Sequence, residues 1–165
     1  MAAVSGGDTL EIENDFYETI QSRRGTGMLP VHFYSRHWDD YGILVLPLLG
    51  PSLYDLFHYC EKKFSLKTVL LIADQVLSRL RFLHSRDIIH RDIKPGNLMM
   101  GRGNDGNTIY LVDLGYARKK VYANKQVRQY TGQKERELFG TIDYAPKAAH
   151  KLQCESSLLC VGCES

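Results

Sequence analysis

"IIHRDIKPGNLMM", Ile88 to Met100, sets a histidine, a charge pair, a lysine–proline step and an asparagine between two apolar runs. A surface turn needs polar residues but has no use for this order of them. The next apolar run, "TIYLVD" from Thr108 to Asp113, is separated from "NLMM" by "GRGNDGN", whose glycines and asparagines suit a chain reversal. If the two runs pair antiparallel, the start of the first lies beside the end of the second, and Asn97 is expected next to Asp113. That pair offers oxygen ligands to a hard divalent cation. Asp92, on the same loop, can accept a proton from a hydroxyl nucleophile, and Lys94 can steady negative charge on a phosphoryl group. Acceptor, cation site and electrostatic clamp are what phosphoryl transfer requires. A structural ion pair between Arg91 and Asp92 would also explain a polar loop. It would not call for the full H-R-D-x-K-P-x-N string followed by D-x-G.

Outward from this loop the chain alternates helical and extended patterns. Upstream, Val69, Ile72, Ala73, Val76, Leu80 and Leu83 recur at three- and four-residue steps, predicting a helix capped by Ser65 and ending near His84. Before it, "ILVLPLLGPSL" reads as a buried strand cut by Pro47 and a turn at Gly50-Pro51. Ser52 with Asp55 reads as a capping box that opens a short helix through Tyr59. Two extended segments, near Val31 to Tyr34 and Ile43 to Leu46, are expected on either side of "RHWDDYG" as a turn. From Leu10 to Gln21, Ile12, Phe16, Tyr17 and Ile20 keep helical spacing, with Gly25 and Gly27 ending the pattern. Glu13 falls on the inward face of that helix, an odd place for a carboxylate without a partner. The helix dipole offers a second account of an acid near an N-terminus. Residues 1 to 8 are small and polar and read as a mobile tail.

Composition narrows the class. With 165 residues, 44% hydrophobic and 24% charged, the chain can build a core and does not read as disordered. A net charge of +2 gives no argument for nucleic acid as a partner. No apolar run approaches the ~18 residues of a membrane helix, and the N-terminus has no basic-then-apolar signal pattern, so no membrane partner is expected. Four cysteines, three of them crowded after residue 153, do not form a disulfide framework, which points to the cytoplasm or nucleus.

"HRDIKPGNLMM" followed by "LVDLGYA" resembles the catalytic loop and metal-binding turn of eukaryotic protein kinases. "LLGPSLYDLF", "KFSLKTVLLIADQVLSRLRFLHS" and "FGTIDYA" resemble the casein kinase 1 group within that family. The resemblance spans roughly Leu10 to Pro146. It implies an α+β protein kinase-like fold, serine/threonine specificity, ATP and magnesium as cofactors and protein substrates. Carried over by position, it makes Asp92 the catalytic base, Lys94 the phosphate-side lysine, and Asn97 and Asp113 the metal ligands. Thr141 resembles the threonine that braces the catalytic aspartate and lysine. Glu13 falls where the αC glutamate pairs with a strand lysine. Leu46 resembles the residue gating the adenine pocket, with a hinge from Pro47 to Leu49 whose Pro47 carbonyl and Leu49 N–H would face adenine. Asp55 would reach the ribose, although helix capping explains it equally well. Leu114 stands where the family usually has phenylalanine. The basic residues Arg118, Lys119, Lys120, Lys125, Arg128, Lys134 and Arg136 either face acidic or pre-phosphorylated substrates or form a solvated segment.

The same resemblance leaves parts unaccounted for. Ahead of Glu13, "MAAVSGG" supplies neither a glycine-rich strand pair nor a strand lysine. After Pro146, "KAAHKLQCESSLLCVGCES" departs from the family pattern. The expectation is therefore an incomplete kinase fold: an αC helix and the last small-lobe strands, plus the first half of the helical large lobe. The implied layout is a flexible tail at 1–9, a partial kinase domain at 10–146 and a divergent tail at 147–165. Such a chain is expected to be inactive alone, or to be a non-catalytic, protein-binding relative of a kinase. In the tail, His150, Cys154, Cys160 and Cys163 have tetrahedral-zinc chemistry, but their spacing matches no common finger and the preferred reading is a tail without a metal site.

Overall fold

The computed structural model describes residues 2–3, 7–21, 27–38, 41–120, 122–123, 126–127 and 141–144. Helix α1 (Gly7–Gln21) packs against a three-stranded antiparallel sheet in the order β1–β3–β2, made of β1 (Ala2–Ala3), β2 (Phe33–Trp38) and β3 (Tyr41–Val45). Leu10, Phe16, Tyr17 and Ile20 form the buried stripe of α1. Gly42 lets the helix approach the sheet, since a Cβ there would sit 3.1 Å from Leu10 Cδ1.

Three expectations are corrected. The tail boundary placed between residues 9 and 10 falls inside α1, because buried Leu10 draws its first turn into the core. The "RHWDDYG" stretch is mostly strand. Trp38 pairs with Tyr41 beyond an irregularity after Ser35, and Trp38 stacks edge-on against Phe33 at 6.0 Å. β3 is not buried on both faces: Gly42 and Leu44 are buried while their neighbours are not, as expected for a sheet covered on one side by α1.

The chain then crosses to a mostly helical half. Gly50 N–H donates to Met100 C=O (2.8 Å) and Met100 N–H donates to Pro51 C=O (3.0 Å), tying the crossing segment to β5 (Leu98–Met100). Helix α2 (Leu53–Tyr59) opens on the expected capping box. Asp55 N–H donates to Ser52 Oγ, and Asp55 Oδ2 accepts from Ser52 N–H and Oγ–H. Helix α3 (Leu66–His84) starts at Ser65, whose Oγ accepts from Thr68 N–H. The expected apolar stripe divides. Ile72, Val76, Leu80 and Leu83 pack on the core, whereas Val69, with Leu66, Leu70 and Leu77, lies on an exposed apolar face. No helix among the described residues is long and apolar enough to cross a membrane.

Arg79 lies on the core face of α3, where its guanidinium is used as a bracket. Its Nε donates to Ile109 C=O (3.0 Å) and its Nη2 to Gln75 Oε1, which also accepts from Ile109 N–H. This fastens α3 to β6 (Ile109–Leu111). Gly27 completes the junction: its C=O accepts from Leu111 N–H, its φ is +78°, and a Cβ there would collide with the Arg79 guanidinium. Gly27→Ala is expected to cost about 2–3 kcal/mol of stability, from overpacking and the left-handed backbone together. Urea unfolding measures it; a midpoint equal to that of the parent would contradict this account.

Candidate active site

The site is built on local structure first. β5 and β6 pair antiparallel with Leu98 opposite Leu111 and Met100 opposite Ile109. The ladder continues one step outward, where Val112 N–H donates to Asn97 C=O at 3.0 Å, which sets Asn97 against Val112 with Asp113 the next residue along. Ile88 and Ile89 (β4) pair with Arg118 and Lys119 (β7), which closes the loop from the other side. Arg91 and Asp113 both hold left-handed backbone conformations, with φ of +69° and +66°. Conformations of this kind concentrate where geometry serves a site.

Asp92 is the centre of the arrangement, and its side chain is 2% exposed. Its Oδ2 pairs with Lys94 Nζ (2.7 Å) and accepts from Asn97 Nδ2 (3.1 Å). Its Oδ1 accepts from Thr141 N–H (2.7 Å), and Lys94 Nζ also donates to Thr141 Oγ1 (2.8 Å). Burial raises the Asp92 pKa, but the Lys94 ammonium and the backbone and hydroxyl of Thr141 outweigh it and hold the carboxyl below its usual range. Thr141, Lys94 and Asp92 are thus joined by direct hydrogen bonds.

His90 is buried under this loop. Val112 C=O can only accept and Asp92 N–H can only donate, so the neutral Nε2–H tautomer satisfies both contacts, at 3.0 and 3.3 Å. Burial, the largest influence, lowers the His90 pKa and favours that neutral ring. His90 is a scaffold for the loop.

The turn after β6 is reached by α1. Asp113 N–H donates to Tyr17 Oη (3.2 Å) and Leu114 N–H donates to Glu13 Oε1 (3.3 Å). Leu114 is fully buried, so leucine fills the position where the family usually has phenylalanine. Among the described residues no cation pairs with Glu13. Its pKa is raised to about 7 by burial first and then by the charge of Asp113, with partial relief from Leu114 N–H and the Tyr17 hydroxyl.

The donor set suits a hard cation. Asn97 spends its amide nitrogen on Asp92 C=O and Oδ2, which leaves Oδ1 as its ligand atom. Asp113 accepts Gly115 N–H on Oδ1 and, among the described residues, no hydrogen bond on Oδ2. One carboxylate oxygen and one amide oxygen, with room for phosphate and water oxygens, fit magnesium.

The crossing segment carries the remaining candidates. Leu46 and Leu49 pack against the core, Leu48 is exposed, and neither Pro47 C=O nor Leu49 N–H has a partner among the described residues. Asp55 is placed on α2 with Oδ2 committed to the capping box. Of the basic stretch, Arg118, Lys119 and Lys120 are described, the first two exposed. Lys125, Arg128, Lys134 and Arg136 lie outside the described residues, as do His150, Cys154, Cys160 and Cys163. The described residues include no cluster that would hold a metal through three or more histidine, cysteine or acidic side chains. Tyr17 and Arg79 were not singled out by sequence reasoning. Each sits at helical spacing among core residues, and only its distant partner distinguishes it.

Fold and site together define a kinase-type transferase. The family model for the protein kinase domain matches residues 31–151, and the chain belongs to the protein kinase family. Its mixed α+β architecture is a partial kinase-like fold. The match takes in Leu46, Pro47, Leu49, Asp55, Asp92, Lys94, Asn97, Asp113 and Thr141, while α1 with Glu13 precedes it. Protein kinase domains use ATP and magnesium and act on proteins.

Proposed function

We propose that this chain carries the catalytic portion of a serine/threonine kinase of casein kinase 1 type, in a partial domain spanning residues 10–146. The observation that carries this reading is the buried Asp92 carboxylate clamped by Lys94 and Thr141, beside Asn97 and Asp113 with ligand oxygens left over. Magnesium and ATP, when bound, supply the transferable phosphoryl group and the neutralisation of its charge. Asp92, kept ionised, accepts the hydrogen bond of a serine or threonine hydroxyl and aims its oxygen. Its lowered basicity suits orientation and late proton acceptance. Lys94, partly exposed, faces both Asp92 and the space where phosphoryl charge develops. Asn97 and Asp113 hold the cation, Leu46 to Leu49 line the adenine side, and Asp55 keeps Oδ1 for the ribose. The string "LLGPSLYDLF" and the α3 sequence support the casein kinase 1 assignment. Arg118 to Lys120 support acidic or pre-phosphorylated protein substrates through charge complementarity.

We further propose that a polypeptide of these 165 residues is inactive on its own. No lysine or arginine occurs in residues 1–21 to pair with Glu13 and reach the phosphates, and phosphoryl transfer depends almost wholly on such positioning. The test uses labelled ATP, magnesium and casein. The pure chain is expected to transfer no label. Fusing a kinase small-lobe segment with its glycine-rich loop and strand lysine ahead of Gly7 is expected to restore labelling of serine and threonine. Transfer by the unfused chain that Asp92→Asn abolishes would refute the inactivity. A correctly folded fusion that binds nucleotide but never transfers would favour a protein-binding module, for which the exposed Leu66, Leu70 and Leu77 of α3 offer a surface.

A further inference from the structure

Asp113 must present its carboxylate from a left-handed backbone, a conformation that a non-glycine residue keeps only when its surroundings hold it there. The neighbours on the chain do part of this. Val112 is fixed on both sides, its N–H donating to Asn97 C=O and its C=O accepting from His90. Ala117 N–H donates to Leu114 C=O and closes the turn behind. Gly115 N–H donates to Asp113 Oδ1, but none of these contacts grips the Asp113 backbone.

That grip comes from α1. Tyr17 is fully buried, and its hydroxyl oxygen accepts the Asp113 N–H at 3.2 Å across 96 positions of sequence. Glu13, one turn earlier on the helix, receives Leu114 N–H on Oε1, and the nearby Tyr17 hydroxyl eases the charge on its carboxyl. Two successive amides of the turn are therefore anchored by two side chains four residues apart on one helix face. A phenylalanine would fill the same space and keep the burial, so the hydroxyl serves the hydrogen bond and not the packing.

We propose that Tyr17 is a positioning residue for the metal-binding turn, its hydroxyl fixing the Asp113 backbone so that the Asp113 carboxylate meets the cation. This rests on the reading of Asp113 and Asn97 as metal ligands.

The test compares the parent chain with Tyr17→Phe, which retains the ring, and with Tyr34→Phe as a control. The Tyr34 hydroxyl is buried with no hydrogen-bond partner among the described residues. Amide exchange followed by NMR is expected to be about 3- to 10-fold faster at Asp113 in Tyr17→Phe, with the β6 amides unchanged, and unaltered in Tyr34→Phe. Titration with manganese, a paramagnetic stand-in for magnesium, is expected to broaden Asp113 and Asn97 signals in the parent. About 3- to 10-fold more manganese should be needed in Tyr17→Phe. Equal Asp113 exchange in parent and Tyr17→Phe, or loss of protection shared uniformly by α1 and β6, overturns the proposal. Identical manganese titrations overturn it while leaving the metal site standing. No broadening in the parent overturns the metal-site reading and this inference with it.

Discussion

Asp92→Asn, in a fusion that carries a glycine-rich loop and strand lysine, is expected to lower turnover about a thousandfold while nucleotide affinity stays within about twofold. Loss of general-base assistance alone accounts for ~100- to 10,000-fold. The local geometry adds to it. The two Asp92 oxygens accept from Thr141 N–H, Lys94 Nζ and Asn97 Nδ2, and an amide offers only one oxygen. Either orientation of the asparagine turns its NH₂ toward a group that can only donate, so Lys94 or Thr141 must move as well. In the proposed reading nucleotide binding rests on the crossing segment and on Asp113, neither of which touches Asp92 through a described hydrogen bond, and on Asn97 only through its Oδ1, which Asp92 does not contact. Asp113→Ala is therefore expected to weaken magnesium-dependent nucleotide binding as well as turnover. Steady-state kinetics with nucleotide displacement separates the two effects. An equal loss of nucleotide affinity in both variants would show that the roles are not divided in this way.

Glu13→Gln is expected to make the chain more stable at pH 8 and to leave it unchanged near pH 4.5. In the unfolded chain this carboxyl titrates near 4.5, and in the folded chain near 7, because it is half-buried beside Asp113 with no cation against it among the described residues. Between those values the folded state binds more protons, so stability falls as pH rises, and the full penalty is present above pH 7. The shift corresponds to at most about 3 kcal/mol. Glutamine keeps an Oε1 acceptor for Leu114 N–H and the Tyr17 hydroxyl while removing the charge. Denaturant unfolding at several pH values, with chelator present to exclude cations, gives the difference between variant and parent. A difference that does not grow between pH 5 and pH 8 would mean that Glu13 is not held as an uncompensated buried carboxylate. In the fusion the same substitution is expected to reverse sign, since a strand lysine would lose its partner.

Much of the site lay within reach of local reading because its parts are close in sequence. Asn97 and Asp113 lie at the same end of a short hairpin, and hairpin register follows from turn chemistry and strand pattern. The capping box at Ser52 and Asp55 and the start of α3 at Ser65 are likewise local, each a hydrogen bond spanning three residues. The order of residues from His90 to Asn97 names its chemistry without any tertiary information. Contacts across long sequence separations escaped, because nothing near either partner announces the other. Tyr17 reads as one more aromatic in a helical stripe until its hydroxyl is seen on the Asp113 amide. Arg79 reads as a polar interruption of α3 until Ile109 C=O and Gly27 are found around it. Patterning decides which face a residue turns inward. Which buried polar group it then meets depends on how the elements pack, and the cost of leaving such a group unpaired selects the match.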